Sequence, residues 1–444
     1  MIIMKFGGSS IKDSRRIIHI SEIIKDNLSK KPVVVLSAMG DTTDLLIKSG
    51  EKALHERKVD IKEIEELHKT TARELGIPLK GINRILSELK ELLSGISLIK
   101  ELSKRTKDLL VSFGERLSIR IISSYFEKTG IKSKCFDSWD LGIITTSEFQ
   151  NSSPLPESLK NLQKNLGDLK KKYTYTPFIT GFIGKDKKGN ITTFGRGGSD
   201  LTASLIGAAL SVKEVQVWKD VDGLMSTDPK TVPGAKPVNE ISFEEASELA
   251  YFGAKILHPR SIIPAMEKNI PVRVKNSYNP EHPGTVIKKK ITSNKLVKVI
   301  TSQRHITLID IVSTRMLGLH GFLEKVFHLF AKYEISVDMI ASSEISISLT
   351  LNKEQNLSKK LDKLTKELEE IANVSVSTNK AMVTVICDVK KSSKILEKVF
   401  DVLLKKKINV QMISQGSSKV NISFIFNDKE LKKALTELHK AFFR

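Results

Sequence analysis

The stretch Ile2-Ile3-Met4-Lys5-Phe6-Gly7-Gly8-Ser9-Ser10 reads as a short apolar strand running into a glycine turn that opens a helix near Ser9 or Ser10. Glycines at such a junction let backbone N–H groups approach a phosphate, the helix N-terminus adds partial positive charge, and Lys5 adds a full one. Gly-Gly between strand and helix is also an ordinary turn, and no G-x-x-x-x-G-K-[ST] string makes it a Walker loop. A second junction, Gly195-Arg196-Gly197-Gly198-Ser199-Asp200, leads into an apolar helix predicted over Leu201 to Leu210. Asp200 at that helix start is placed either to cap it or to orient a lysine. Two glycine-rich junctions in one region suggest the two ends of a phosphate-bearing substrate pair. Around them the apolar strands Pro32 to Ser37, Pro177 to Thr180 and Val215 to Trp218 alternate with helical segments. That alternation predicts an α/β domain around a mainly parallel sheet. Between Val59 and Tyr125 the pattern turns wholly helical, which predicts a helical lobe forming one wall of a site.

A 73-residue internal repeat dominates the C-terminal part. Leu323-Glu-Lys-Val-Phe327 recurs as Leu396-Glu-Lys-Val-Phe400, and the set Ile335, Val337, Met339, Ile340 recurs as Ile408, Val410, Met412, Ile413. Each copy reads as a strand, an amphipathic helix, two strands and a lysine-rich helix, so two small α+β modules follow residue ~295. The turn-rich stretch Asn276 to Gly284 marks the approach to that boundary.

With 444 residues the chain is expected to form about three domains. Hydrophobic residues make up 40% and charged residues 28%, and no window approaches the ~20 consecutive apolar residues of a bilayer span. A membrane-spanning role is excluded. The net charge is +21, yet only 14 of the 72 basic residues are arginine, the residue expected where phosphates or bases are read bidentately. The lysines are scattered, so a solvated basic surface is expected and nucleic acid is not a partner. Cys135 and Cys387 stand alone, giving neither a disulfide framework nor a zinc site, and no metal site is expected on the protein itself. Met1 to Phe6 run straight into a strand pattern with no export leader, so a cytoplasmic location is expected.

Three further strings carry chemistry. In Phe113-Gly114-Glu115-Arg116-Leu117-Ser118, Glu115 and Ser118 share a helix face, although a glutamate there is ordinarily just solvated. Trp218-Lys219-Asp220-Val221-Asp222-Gly223 leads to Thr227-Asp228-Pro229-Lys230, either an edge for a nucleotide base and its metal or a polar turn. Phe252-Gly253-Ala254-Lys255-Ile256-Leu257-His258-Pro259 sets a lysine among small residues, where a phosphate-facing ammonium fits. His258 before proline reads as structural.

Together, in this order and at these intervals, K-F-G-G-S, F-G-E-R, G-R-G-G-S-D and F-G-A-K-I-L-H-P resemble the aspartokinases of the amino acid kinase family over essentially the whole chain. The resemblance implies a catalytic α/β domain over 1–290, a mainly parallel sheet sandwiched by helices with a helical lobe. Two ferredoxin-like α+β ACT domains over 296–375 and 379–444 would follow. It implies transfer of the γ-phosphoryl group of ATP, with Mg²⁺, to the β-carboxylate of L-aspartate, the first step towards lysine, threonine and methionine. Lys5, Gly7, Gly8 and Lys255 would bind phosphates, Asp200 would orient Lys5, and Asp220, Asp228 and Lys230 would line the nucleotide pocket. Arg196 would grip the substrate α-carboxylate and Glu115 its α-ammonium, while Ser37, Thr43 and Ser199 would bond the remaining oxygens. Met316, Phe322, Val337, Asp338, Ser343 and Glu344 match strings with which lysine-sensitive relatives bind lysine as an inhibitor, and the ACT modules would join chains into a homodimer or larger assembly.

Two positions depart from the family pattern: Lys219 stands where many relatives carry threonine, and Met225 where an aromatic is frequent. The second copy has Gln411 where the first has Asp338, so lysine is expected at the first. No dinucleotide fingerprint follows the repeat, so a fused homoserine dehydrogenase is not expected. Competing readings are an amino acid kinase with another carboxylate acceptor, such as glutamate or an N-acetylated amino acid, and a sensor that has lost catalysis.

Overall fold

The computed structural model describes residues 1–252, 257–291, 295–313, 320–352, 357–415 and 420–443. The chain forms two bodies. One comprises Met1–Leu224, Asn239–Ala246 and Lys255–Ile291; the other comprises Met225–Val238, Ser247–Ala254 and Thr292–Arg444.

The first body holds strands β1 (Ile2–Phe6), β2 (Pro32–Leu36), β3 (Ser133–Phe136), β4 (Ile144–Thr145), β5 (Thr176–Thr180), β6 (Ile183–Asp186), β7 (Ile191–Thr193), β8 (Val215–Lys219), β9 (Glu240–Ser242), β10 (Val272–Asn276) and β11 (Thr285–Lys288). Eight of them form one sheet in the order β3-β5-β2-β1-β8-β10-β11-β9. All pairings in it are parallel except β10 with β11. β1, β2 and β5 are buried along their whole length, as expected of strands covered by helices on both faces. β1 is central, with Phe6 opposite both Leu36 and Trp218, so the chain leaves β1, β2 and β8 at one carboxyl edge. That edge is where open α/β sheets bind ligands.

The predicted helical lobe consists of Lys62–Glu74, Lys80–Ile99 and Lys104–Lys128. Its apolar stripes, including Ile82, Leu86, Leu89, Leu93 and Leu117, join Met4, Phe6, Val34, Phe178 and Trp218 in one core. The helix expected near Ser9 instead starts at Ser14. Asp13 caps it by accepting from the Arg16 amide at 2.8 Å, and Gly8–Ile11 form a single tight 3₁₀ turn before it. A Cβ on Gly8 would lie 2.8 Å from the Ala38 carbonyl oxygen and 2.9 Å from that of Gly40, so only glycine allows this turn to press against the loop after β2.

The second body is built on a six-stranded antiparallel sheet of β12 (Val297–Val312), β13 (Met339–Ser342), β14 (Ser346–Leu351), β15 (Asn373–Cys387), β16 (Met412–Ser414) and β17 (Asn421–Asn427), ordered β13-β14-β12-β15-β17-β16. Each repeat copy supplies one long strand, and the two long strands pair along their lengths: Ile309–Val312 with Asn373–Val376, and Val299–Gln303 with Met382–Ile386. The residues Val297 and Ile300 accordingly join the core of the second copy with Val383, Val385, Ile395, Phe424 and Leu435. Ile309, Ile311, Val326, Phe330, Leu349 and Leu364 form the core of the first. Residues 225–238 and 247–252 belong to this body too: Ile300 donates to the Ser226 carbonyl at 2.8 Å, and the Ser226 hydroxyl meets His439 Nε2 at 2.8 Å.

Candidate active site

At the carboxyl edge of β1, the penultimate residue Lys5 turns toward the helix Gly198–Leu210, which packs on that strand. Its ammonium lies 2.7 Å from Asp200 Oδ1, with both side chains under one-tenth exposed. Lys219, the last residue of β8, brings a second ammonium to 3.6 Å from Asp200 Oδ2. Burial alone would raise the Asp200 pKa; Lys5 and Lys219 outweigh it and hold the carboxyl below its usual range. Burial, with Lys5 close by, pulls the Lys219 ammonium below its ordinary value.

The helix Lys104–Lys128 delivers Glu115 to the same place. A Cβ on Gly114 would sit 2.6 Å from the Ala38 Cβ, so the glycine lets this helix close on the loop after β2. Glu115 Oε1 then accepts from the Ala38 amide at 3.1 Å, and Ser118 donates to the Ser37 carbonyl at 2.7 Å. Arg116 turns away to Glu88 at 2.6 Å. Glu115 is 3% exposed and its Oε2 is buried without a hydrogen-bond partner. Burial pushes its pKa up to about 8, against the pull of the Ala38 amide and Lys5.

Beside them is a cavity of about 320 Å³ whose walls include Lys5, Gly8, Ser37, Thr43, Glu115, Ser199 and Asp200, but not Lys219. These seven residues, with Gly195, Gly197 and Gly198 of the second glycine junction, are singled out in the sequence and meet in one concave space. Gly7 and Arg196 do not line it. The Gly7 amide donates to the Trp218 carbonyl at 3.3 Å, extending the ladder, and Arg196 is exposed on the turn ahead of Asp200. Asp220 is exposed beyond β8. Asp228 and Lys230 are exposed residues of the second body, where Asp228 caps its own turn by accepting from the Lys230 amide at 3.0 Å. Lys255 lies outside the described residues, as does Met316.

In the first repeat copy, Asp338 Oδ1 accepts from the Tyr251 hydroxyl at 3.0 Å. Phe322 and Val337 pack at the margin of the Ile309 core, and Ser343 and Glu344 sit exposed in the turn between β13 and β14. β13 separates Asp338 from Ser343 by five residues, roughly 16 Å at ~3.3 Å per residue.

Sequence reasoning missed Ala38, Gly40 and Phe182 in the cavity wall, and Lys219 at Asp200. Gly181-Phe182 directly after β5 was the available signal, a glycine at the carboxyl end of a strand. Phe182 holds φ of 69°, a conformation its residue type does not announce. Among the described residues no group of three or more His, Cys, Asp and Glu could hold a metal, and no helix is long and apolar enough to cross a membrane.

The amino acid kinase family model matches residues 1–276, and an ACT domain model matches residues 309–358 and 383–442. The chloroplastic aspartokinase 2 of Arabidopsis thaliana is 48% identical over 457 residues, covering 99% of this chain and 84% of that protein. The lysine-sensitive aspartokinase 3 of Escherichia coli is 33% identical over 454 residues, covering 100% and 99%. The crystal structure of E. coli aspartokinase III in complex with aspartate and ADP (R-state) matches with a TM-score of 0.82 at 32% identity, over 100% of both chains. Matched by sequence and by fold along essentially its whole length, the chain belongs to the amino acid kinase family, among the aspartokinases that carry ACT domains.

Proposed function

We infer that the chain transfers the γ-phosphoryl group of ATP to the β-carboxylate of L-aspartate, forming 4-phospho-L-aspartate and ADP. A β-carboxylate oxygen bonds to the γ-phosphorus as the bond to the β,γ-bridging oxygen breaks, and ADP carries away the electron pair. The nucleophile is already ionised at neutral pH, so no general base is needed. The requirement is charge cancellation between an anion and a polyanion, and Lys5, fixed by Asp200 at 2.7 Å, is the group on hand for it. Gly8, at the cavity wall, gives the phosphates close access to backbone. By family match Gly7 shapes the same turn, Lys255 adds a second phosphate contact, and Asp220 borders the nucleotide.

The observation that carries the amino acid assignment is Glu115, a buried carboxyl in the cavity wall whose Oε2 has no partner. An arriving α-ammonium supplies one, whereas an N-acetylated substrate would leave it unmatched. Ser37, Thr43 and Ser199 would bond the substrate carboxylates, and Arg196 would fold in from its exposed turn to clamp the α-carboxylate. Both Asp200 oxygens face lysines, which makes it a poor metal ligand. Mg²⁺ therefore fits as a companion of the triphosphate, with the phosphates as its main ligands and neutralising their charge.

Lysine is the effector this reading takes, at Met316, Phe322, Val337, Asp338, Ser343 and Glu344. With Asp338 and Ser343 at opposite ends of β13, one lysine reaches both sets only if a second chain brings its own copy alongside, which favours a homodimer through the ACT modules. Cys135 and Cys387 form no disulfide, which fits a reducing compartment such as the cytoplasm.

The test is incubation with ATP, Mg²⁺ and hydroxylamine plus either aspartate or glutamate, trapping the acyl phosphate as a coloured hydroxamate. Colour with aspartate alone, suppressed by lysine, is the expected result. Colour with glutamate but not aspartate would assign a different acceptor.

A further inference from the structure

We propose that Lys219 is a second phosphate-gripping cation of the transfer site, held by the same carboxylate that holds Lys5 and presented to the terminal phosphates of the nucleotide. The proposal rests on the phosphotransfer reading above and extends it to a residue outside the family pattern.

The placement of Lys219 carries the argument. β8 is a parallel neighbour of β1, with Trp218 opposite Phe6, so Lys219 emerges at the same carboxyl edge as the Gly7-Gly8 turn. Its main chain is pinned: the Ser277 amide and hydroxyl both donate to the Lys219 carbonyl, at 2.7 and 3.0 Å. From that fixed base the ammonium reaches to 3.6 Å from Asp200 Oδ2, opposite Lys5 on Oδ1. One buried carboxylate thus faces two ammonium groups and holds both at one place, a cationic pair suited to a polyanion. Exposure distinguishes the two lysines. The Lys5 side chain is 8% exposed, whereas that of Lys219 is 23% exposed. A threonine at this position would keep the strand but could not carry a charge to Asp200. Burial that lowers the Lys219 pKa also strips its hydration, which strengthens its interaction with an anion.

The experiment compares wild type with Lys219→Met and Lys219→Arg. One charge-assisted contact corresponds to about a 10- to 100-fold change in affinity. Lys219→Met is expected to raise the KM for MgATP and weaken calorimetric MgADP binding by that factor, leaving adenosine binding and the KM for aspartate within about twofold. Lys219→Arg, which keeps the charge, is expected to recover most of the MgADP affinity. A folded Lys219→Met protein that binds MgADP as tightly as wild type would overturn the proposal. Should Lys219→Met fail to fold, the wild-type protein is reductively ¹³C-methylated and the lysine resonance missing from Lys219→Arg is followed by NMR. That resonance must shift with MgADP and stay fixed with adenosine; no shift refutes the assignment. Wild-type turnover in the same series checks the phosphotransfer reading separately, since a wild type that makes no aspartyl hydroxamate fails there whatever Lys219 does.

Discussion

Replacing Glu115 with glutamine should make the first body more stable in alkali while weakening aspartate binding. Folding raises this carboxyl from 4.5 to about 8, because burial opposes its charge. A group with a raised folded pKa contributes stability that is fully present below its unfolded value and is lost as pH rises through the folded one. Between pH 4.5 and about 8 the folded chain holds one proton that the unfolded chain has released, so wild type loses about 1.4 kcal/mol per pH unit relative to Glu115→Gln. Across the window the difference reaches about 5 kcal/mol. Any fixed cost of the amide shifts the comparison equally at every pH, so the slope is the readout. Urea denaturation followed by tryptophan fluorescence suits it, since Trp139 and Trp218 both lie in the first body. Aspartate binding at pH 7 should also release close to one proton, because the α-ammonium restores the charged carboxylate; calorimetry in buffers of different ionisation enthalpy measures this. Parallel stability curves for the two proteins between pH 5 and 9, with no proton release, would refute the reasoning.

Lys5→Met should lower kcat by about 10²- to 10⁴-fold in the hydroxamate assay. It should cost about 3 kcal/mol of stability by urea denaturation, the low end for a broken buried pair because Lys219 still faces Asp200. His68, buried in the helical lobe, is held neutral with its pKa lowered to about 4 by burial. The unfolded chain takes up that proton from pH 6.5 downward, so about 3 kcal/mol present above pH 6.5 is lost as pH falls to 4, and His68→Leu should flatten that limb of the stability curve. Asp338→Asn keeps an oxygen for the Tyr251 hydroxyl but loses the charge. It should raise the lysine concentration for half-inhibition at least ~10-fold at unchanged kcat, and unchanged lysine sensitivity would remove Asp338 from the effector site.

Much of the cavity was legible in the residues. Lys5, Gly8, Ser199 and Asp200 announce themselves by type and by position at strand ends and helix starts, because phosphate recognition demands those groups at such junctions, whereas Glu115 lies mid-helix and is legible only through the family string around it. The neighbours that complete the site are harder to read. Ala38 acts through a backbone N–H that every non-proline residue possesses, and Phe182 through a backbone conformation. Lys219 is read as a mere departure from a family pattern until parallel pairing of β1 and β8 brings it out at the same carboxyl edge as Lys5. The start of the first helix moved from Ser9 to Ser14 because a side-chain cap four residues on outweighs the glycine signal.

By itself the sequence determined the α/β class, through strands and helices alternating with the right periods, and the repeat, through a fixed offset of like residues. It also determined the chemistry on offer, since residue type sets charge and hydrogen-bonding capacity. Only the tertiary structure decided which of those groups face one cavity, that Gly7 and Arg196 stand outside it, and that the two repeat copies pair their long strands into one sheet. It also decided that Glu115 titrates near 8. The physical reason is the same in each case: burial, pairing and local charge depend on residues brought together from far apart in the chain, and no local pattern encodes that distance.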